Sequence, residues 1–277
     1  MGRLFDNVAN TSLQSATTPF PGGSTVGTVH PMTMSAWIKP VSAIVREQIL
    51  GVYDISVNNQ WHALLIQDTG TVQMFTRQGG GSGRADTTTI VTANVWQHAC
   101  AVLNSTVDRR AYLDNRGEGI NTTDIASGSA LDAVAVGEHR DSSPGRNFTG
   151  DIAELGIWNI ALSFFERDQL ARWRYSPLLV RREHLIWYRS FRFPDLNFDP
   201  PDLLPPQLRG NNRHLLFNVN AAPAFGAHPP GIVYPIPDRT AILSAGVSVG
   251  ITDGEIAAAT GPKRHDVDLP PAEVVAY

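Results

Sequence analysis

One cysteine and two lysines are all that 277 residues hold of those types. With Cys100 alone, no disulfide closes within the chain and no cysteine-built zinc cluster forms. The other basic residues are arginines, a bias that reads as compositional rather than as a binding patch. Basic and acidic side chains number 22 and 26, a net charge of −4 that argues against a nucleic-acid binder or a polybasic membrane-surface protein. No apolar run reaches the roughly 18 residues a spanning helix needs. The opening MGRLFDNVANTSLQS has no apolar stretch of a secretory signal, so synthesis in a cytoplasm without ordinary export is expected.

Proline is scarce before residue 190, with six, and crowded afterwards, with thirteen from Pro194 to Pro271. The first region reads as short, closely spaced strands: Met32 to Pro40, Gln48 to Val57, Trp61 to Asp68, Thr71 to Arg77, Thr87 to Thr92, Trp96 to Asn104 and Arg109 to Asp114. Breakers of hairpin type separate them, among them Asn58-Asn59, Asp68-Thr69-Gly70, the glycine run Gly79 to Gly83, and Asp114-Asn115. That pattern predicts an all-β, antiparallel sandwich. One helix interrupts it: Ser163 and Glu166 make a capping box, with Phe164, Leu170 and Trp173 near helical spacing. His184 to Phe193 reads as a closing strand and Arg213 to Ala221 as a further short one. Hydrophobic residues at 42% can fill the core of such a domain, placed at 1–193. Residues 194–277 read as an extended proline-rich arm with short strands, one of them at Ala241 to Val249. Its apolar beads Ile232, Val233, Tyr234, Ile236, Ile242, Leu243, Val247 and Val249 suit a partner surface or a sheet edge, the alternative being packing on the chain's own sandwich.

Four segments occur in an order that resembles a laminin-G-like domain of the concanavalin A-like lectin/glucanase superfamily. They are MTMSAWIKP from Met32, VWQHACAVL from Val95, RAYLDN from Arg110 and FTGDIAELGIWNIALSFFE from Phe148. Asn115 stands where that family usually has glycine, and asparagine tolerates the left-handed conformation this requires. Leu185 to Pro230, ending in His228-Pro229-Pro230, is similar to the tail that follows such domains in bacteriophage and viral proteins. The resemblance implies a jelly-roll sandwich, core positions for Trp37, Trp96 and Trp158, and often a calcium ion at the sandwich rim beside a glycan site. Candidate calcium ligands are Asp54, Asp114, Glu138 and Asp141. No other cofactor is expected.

Residue types that carry catalysis are not arranged for it. The superfamily's glucanases use an E-x-D-x-E run, which sets carboxylates on one strand face. Asp151 and Glu154 are three apart and, in a regular strand, point to opposite faces. The eight histidines do not cluster, and no H-E-x-x-H, G-x-S-x-G or phosphate-binding loop occurs. Cys100 and His98 share a strand face, but apolar neighbours favour a buried, inert thiol. Of the aromatic residues Trp61, Trp96, Trp158 and Tyr112, Trp61 is the candidate for glycan contact. The expected role is a non-enzymatic structural protein of a phage or virus particle that decorates or cements its surface. Its arm would contact neighbouring virion subunits and the protein would form a homo-oligomer, with no nucleic acid and no membrane as partner. The alternative is a carbohydrate-binding module or adhesin, calcium-dependent in one form, recognising host or environmental glycans.

Overall fold

The computed structural model describes residues 2–6, 11–15, 20, 30–54, 56–126, 131–140, 146–191, 216–218 and 224–235. In chain order the strands are β1 (Gly2–Phe5), β2 (Leu13–Ser15), β3 (Met32–Pro40), β4 (Glu47–Tyr53), β5 (Gln60–Ile66), β6 (Thr71–Gln78), β7 (Gly81–Ile90) and β8 (Gln97–Ser105). There follow β9 (Asp108–Leu113), β10 (Arg116–Asn121), β11 (Ala133–Val136), β12 (Gly150–Trp158), helix α1 (Phe164–Ala171), β13 (Leu185–Arg189), β14 (Leu216–Asn218) and β15 (Ala224–Gly226). Two antiparallel sheets result. One runs β10-β9-β8-β3-β12-β1-β15, with β13 on β12; the other runs β14-β2-β11-β4-β5-β6-β7.

Alternation along the strands builds the core. Met34, Ala36 and Ile38 of β3 and Ile152, Leu155 and Ile157 of β12 meet Leu50, Val52, Leu64, Ile66 and Met74 of the facing sheet. The all-β sandwich with one short helix is therefore as expected. The helix starts where its capping box places it: Ser163 N–H donates to Glu166 Oε2 at 2.7 Å and Glu166 N–H to Ser163 Oγ at 3.4 Å. Its apolar face differs from expectation. Leu170 is buried, but Phe164 is 63% exposed and Trp173 lies beyond the last turn at 48%.

Several boundaries moved for local reasons. The strand expected through Val57 stops at Tyr53, because Asp54 Oδ1 accepts from Ser56 N–H at 2.9 Å and turns the chain. Part of the glycine run expected as a breaker, Gly81 and Gly83, lies inside β7. A side chain at Gly83 would collide with the buried Arg109 guanidinium, so the close approach needs glycine. His184 belongs to a short 3-10 turn rather than to a strand.

The arm expected from residue 194 is partly built into the sandwich: β14 pairs with β2, and β15 pairs with β1. All the described residues lie within one compact unit, Met1–Ile236. Ile236, Ile242, Leu243, Val247, Val249, the strand expected at Ala241 to Val249, and Asp141 lie outside the described residues.

Candidate functional site

Strands β4 to β7 turn one face to the core and the other outward. Register sets Tyr53, Trp61, Arg77 and Ser82 in one outward row, and Gly51, Ala63, Phe75 and Arg84 in the next. Trp61 is 2% exposed, with its ring edge-on to Phe75 at 4.5 Å and to His139 at 4.7 Å between centroids. It therefore backs this face instead of offering a flat stacking surface, which corrects its expected part as a direct glycan contact. Its Nε1–H has no acceptor among the described residues. The Tyr53 hydroxyl accepts from Gln48 Nε2, and His139 Nδ1 lies 3.2 Å from that hydroxyl and 3.0 Å from Gln48 Oε1. That network closes the β4–β5 half of the face. Ser82, Arg84 and Asp86 of β7 remain exposed.

Sequence reasoning missed the arginines here. The Arg84 guanidinium carbon sits 4.7 Å from the Phe75 ring centroid and that of Arg46 5.8 Å from it. Arg77 joins them from the row beside Trp61. Burial holds the Arg46 pKa below its ordinary value, and the Arg146 and Arg84 guanidiniums push the same way. Two Arg46 nitrogens, Nε and Nη2, are buried without an acceptor among the described residues. The signal was present as Phe75-x-Arg77 in β6 and Arg84 across the hairpin, but an arginine excess read as compositional hid it.

A second polar centre lies on the other sheet. The ladder between β12 and β3 slips between Ala153 and Gly156, and Glu154 sits in that bulge at φ 51. The bulge overturns the strict alternation expected for Asp151 and Glu154, and both carboxylates meet the returning segment. Asp151 Oδ1 accepts from Ala227 N–H at 3.1 Å. Glu154 Oε1 accepts from the Tyr234 hydroxyl at 2.5 Å and lies 3.2 Å from His228 Nε2. Its Oε2 accepts from Ser176 Oγ and the Tyr188 hydroxyl, each at 3.0 Å. Val233 N–H donates to Arg174 O, and Ser176 N–H to Val233 O, both at 2.9 Å. Tyr234, expected on a partner surface, is thus engaged by its own sandwich, and Ile232 beside it is half-buried.

The calcium candidates are not brought together. Asp54 follows β4, beside the start of β11, while Glu138 follows the far end of β11. Asp114 is on the other sheet, accepting from His98 N–H at 2.8 Å. Calcium takes about six to eight oxygens, and among the described residues no three acidic or histidine side chains form a metal-holding group. Asp54, Asp114 and Glu138 do not fit such an ion. Cys100 and His98 are both buried. Burial pushes the thiol up to about 12 and the imidazole down to about 3, the wrong directions for a nucleophile and its base. Trp37 and Trp158 are buried as expected, whereas Trp96 is half-buried.

No curated protein matches the chain. Among solved structures it is similar to a putative carbohydrate-binding protein from Bacteroides ovatus, at 17% identity and a TM-score of 0.50, over 69% of this chain and 51% of that one. It is also similar to the heptameric SAP-like pentraxin of Limulus polyphemus, at 18% identity and a TM-score of 0.45, over 58% and 75% of the two chains. For the Ruminococcus gnavus IT-sialidase CBM40 bound to α2,3 sialyllactose the values are 16% and 0.46, over 62% and 98%. At these identities the likenesses speak to fold alone. The family match is direct: residues 11–165 fit the model of a laminin-G domain, and the chain belongs to the concanavalin A-like lectin/glucanases superfamily.

Proposed function

We propose that this protein is a non-catalytic carbohydrate-binding module whose ligand lies on the outward face of β5 to β7. The observation that carries this reading is the outward row of exposed Ser82, Arg84 and Asp86 on β7, backed by the packed Trp61 and Phe75 rings with the Arg84 guanidinium over Phe75. Saccharide sites combine an apolar floor with a few convergent polar groups in this way. A binding role, as opposed to a hydrolytic one, is supported by Asp151 and Glu154. Both are occupied in fastening the segment Gly226 to Tyr234, whereas a glycosidase needs two carboxylates free to flank a scissile bond. Calcium is not part of this reading. The test is a glycan array probed with the labelled full chain, in calcium and in EGTA. Binding to a defined set of saccharides, unchanged by EGTA and without hydrolysis products, is expected; silence on every saccharide would contradict it.

A second reading is attachment to a neighbouring protein subunit, as on a virus particle. It is favoured by a different surface, where Phe165 and Trp173 lie edge-on at 5.3 Å and are 55% and 48% exposed. Tyr175 continues the row 5.9 Å from Trp173. Exposed aromatic groups of this kind mark protein contacts. Light scattering of the purified chain separates the cases: Phe165→Ser with Trp173→Ser leaves a glycan-binding monomer unchanged and dissociates an assembly built through these rings.

A further inference from the structure

The arginines around Phe75 raise a question of charge that the aromatic floor does not answer. One guanidinium over a ring is explained by cation–π attraction. Here Arg84 and Arg46 approach the same ring, and Arg146 adds its charge to Arg46. Like charges so placed repel, and a chain with net charge −4 has no general excess of cations to distribute.

Asp68 and Asp86 offset part of the charge on Arg46 without forming an ion pair with it among the described residues. Asp86, on the same face, turns its Oδ1 to accept from Gln73 Nε2 at 2.5 Å. Asp68 is exposed in the turn between β5 and β6. None of Arg46, Arg77 and Arg84 forms an ion pair among the described residues. The buried Nε and Nη2 of Arg46 are left with no acceptor there, and the indole N–H of the buried Trp61 shares that want. A planar guanidinium fits an oxyanion through two parallel N–H groups, and Arg84 stands exposed to offer them.

We propose that this face selects acidic saccharides, whose carboxylate or sulfate oxygens are held by Arg84 and Arg46 above Phe75, with Arg77 flanking the same row. The inference rests on the saccharide-binding reading of this face and adds the class of sugar to it.

Isothermal titration of the full chain with matched pairs tests it: trigalacturonic acid against galactotriose, and lactose 3′-sulfate against lactose. At least one acid binds about tenfold more tightly than its neutral partner, a margin in the range of charge-assisted hydrogen bonds. Which acid wins identifies the anion. Arg84→Ala, at an exposed position, removes most of that preference with only the small fall in melting temperature that a lost cation–π contact brings, and Arg46→Gln also removes it while the chain stays folded. Equal affinity for acid and neutral sugar, or a preference untouched by Arg84→Ala, overturns the proposal while leaving saccharide binding in place. Failure of all four sugars and of the glycan array overturns the reading on which it rests.

Discussion

The hydroxyl of Tyr234 donates to Glu154 Oε1 at 2.5 Å, joining residues 80 apart in sequence. Glu154 belongs to the long strand–turn–helix segment and Tyr234 follows His228-Pro229-Pro230, so two separately legible motifs meet at one carboxylate. The wholly buried Glu154 is satisfied by two tyrosines, a serine and a nearby histidine among the described residues. Removing one hydroxyl leaves an oxygen short of a partner. Tyr234→Phe is expected to cost about 1–3 kcal/mol, the range for leaving a buried acceptor without its donor, and to make peptide bonds near Ala227 to Val233 protease-sensitive. Urea unfolding and timed proteolysis check both effects, and unchanged cleavage would show that the segment is held otherwise.

The helix depends on its first turn. Ser163→Ala deletes the cap of Glu166 N–H and half of the reciprocal pair. A loss of about 1 kcal/mol is expected, read as a lower urea midpoint at constant slope.

Gly119 of β10 lies against the backbone of Asp86 in β7, where the edges of the two sheets meet. A Cβ there would overlap the Asp86 carbonyl, and backbone cannot swing aside as a side chain can. Gly119→Ala is expected to destabilise by about 1–3 kcal/mol, as overpacking does, whereas Gly80→Ala, with open space around it, is expected to be near neutral.

Stability should peak in mildly acidic solution. Burial lowers His62 and His98 from 6.5 to about 3, so the fold keeps both neutral and the unfolded chain takes up their protons as pH drops below 6.5. Their contribution is complete above 6.5 and lost toward 3. Burial raises Glu47 from 4.5 to about 7, so its contribution is complete below 4.5 and lost as pH rises to 7. Between 4.5 and 6.5 the two histidines outweigh the single glutamate and stability climbs with pH; from 6.5 to 7 only Glu47 acts and stability declines. Glu47→Gln is expected to abolish that decline, measured by thermal melts across the range.

Much of the sandwich was legible because its strands carry strong period-two signals, as in Met32 to Pro40 and the segment from Phe148. Strands β1, β2 and β11 were not. β11 and β1 have four residues and β2 three, too few to show a period. The bulge at Glu154 was hidden because nothing local distinguishes a glutamate at φ 51 from one in a regular strand. At the candidate site, Trp61 was visible as an aromatic residue, yet its burial follows from His139 and Phe75, which reach it through the fold. The arginine shelf is likewise a product of register between β6 and β7, a pairing that composition does not reveal.

Hydrogen–deuterium exchange of the full chain, with and without a saccharide that binds, tests the location of the site most directly. Slower exchange is expected in peptides spanning β5 to β7, residues 60–90, with residues 163–175 unchanged. Protection centred on Phe165 and Trp173, with 60–90 unaffected, would contradict the account and place recognition on the exposed aromatic surface beside the helix.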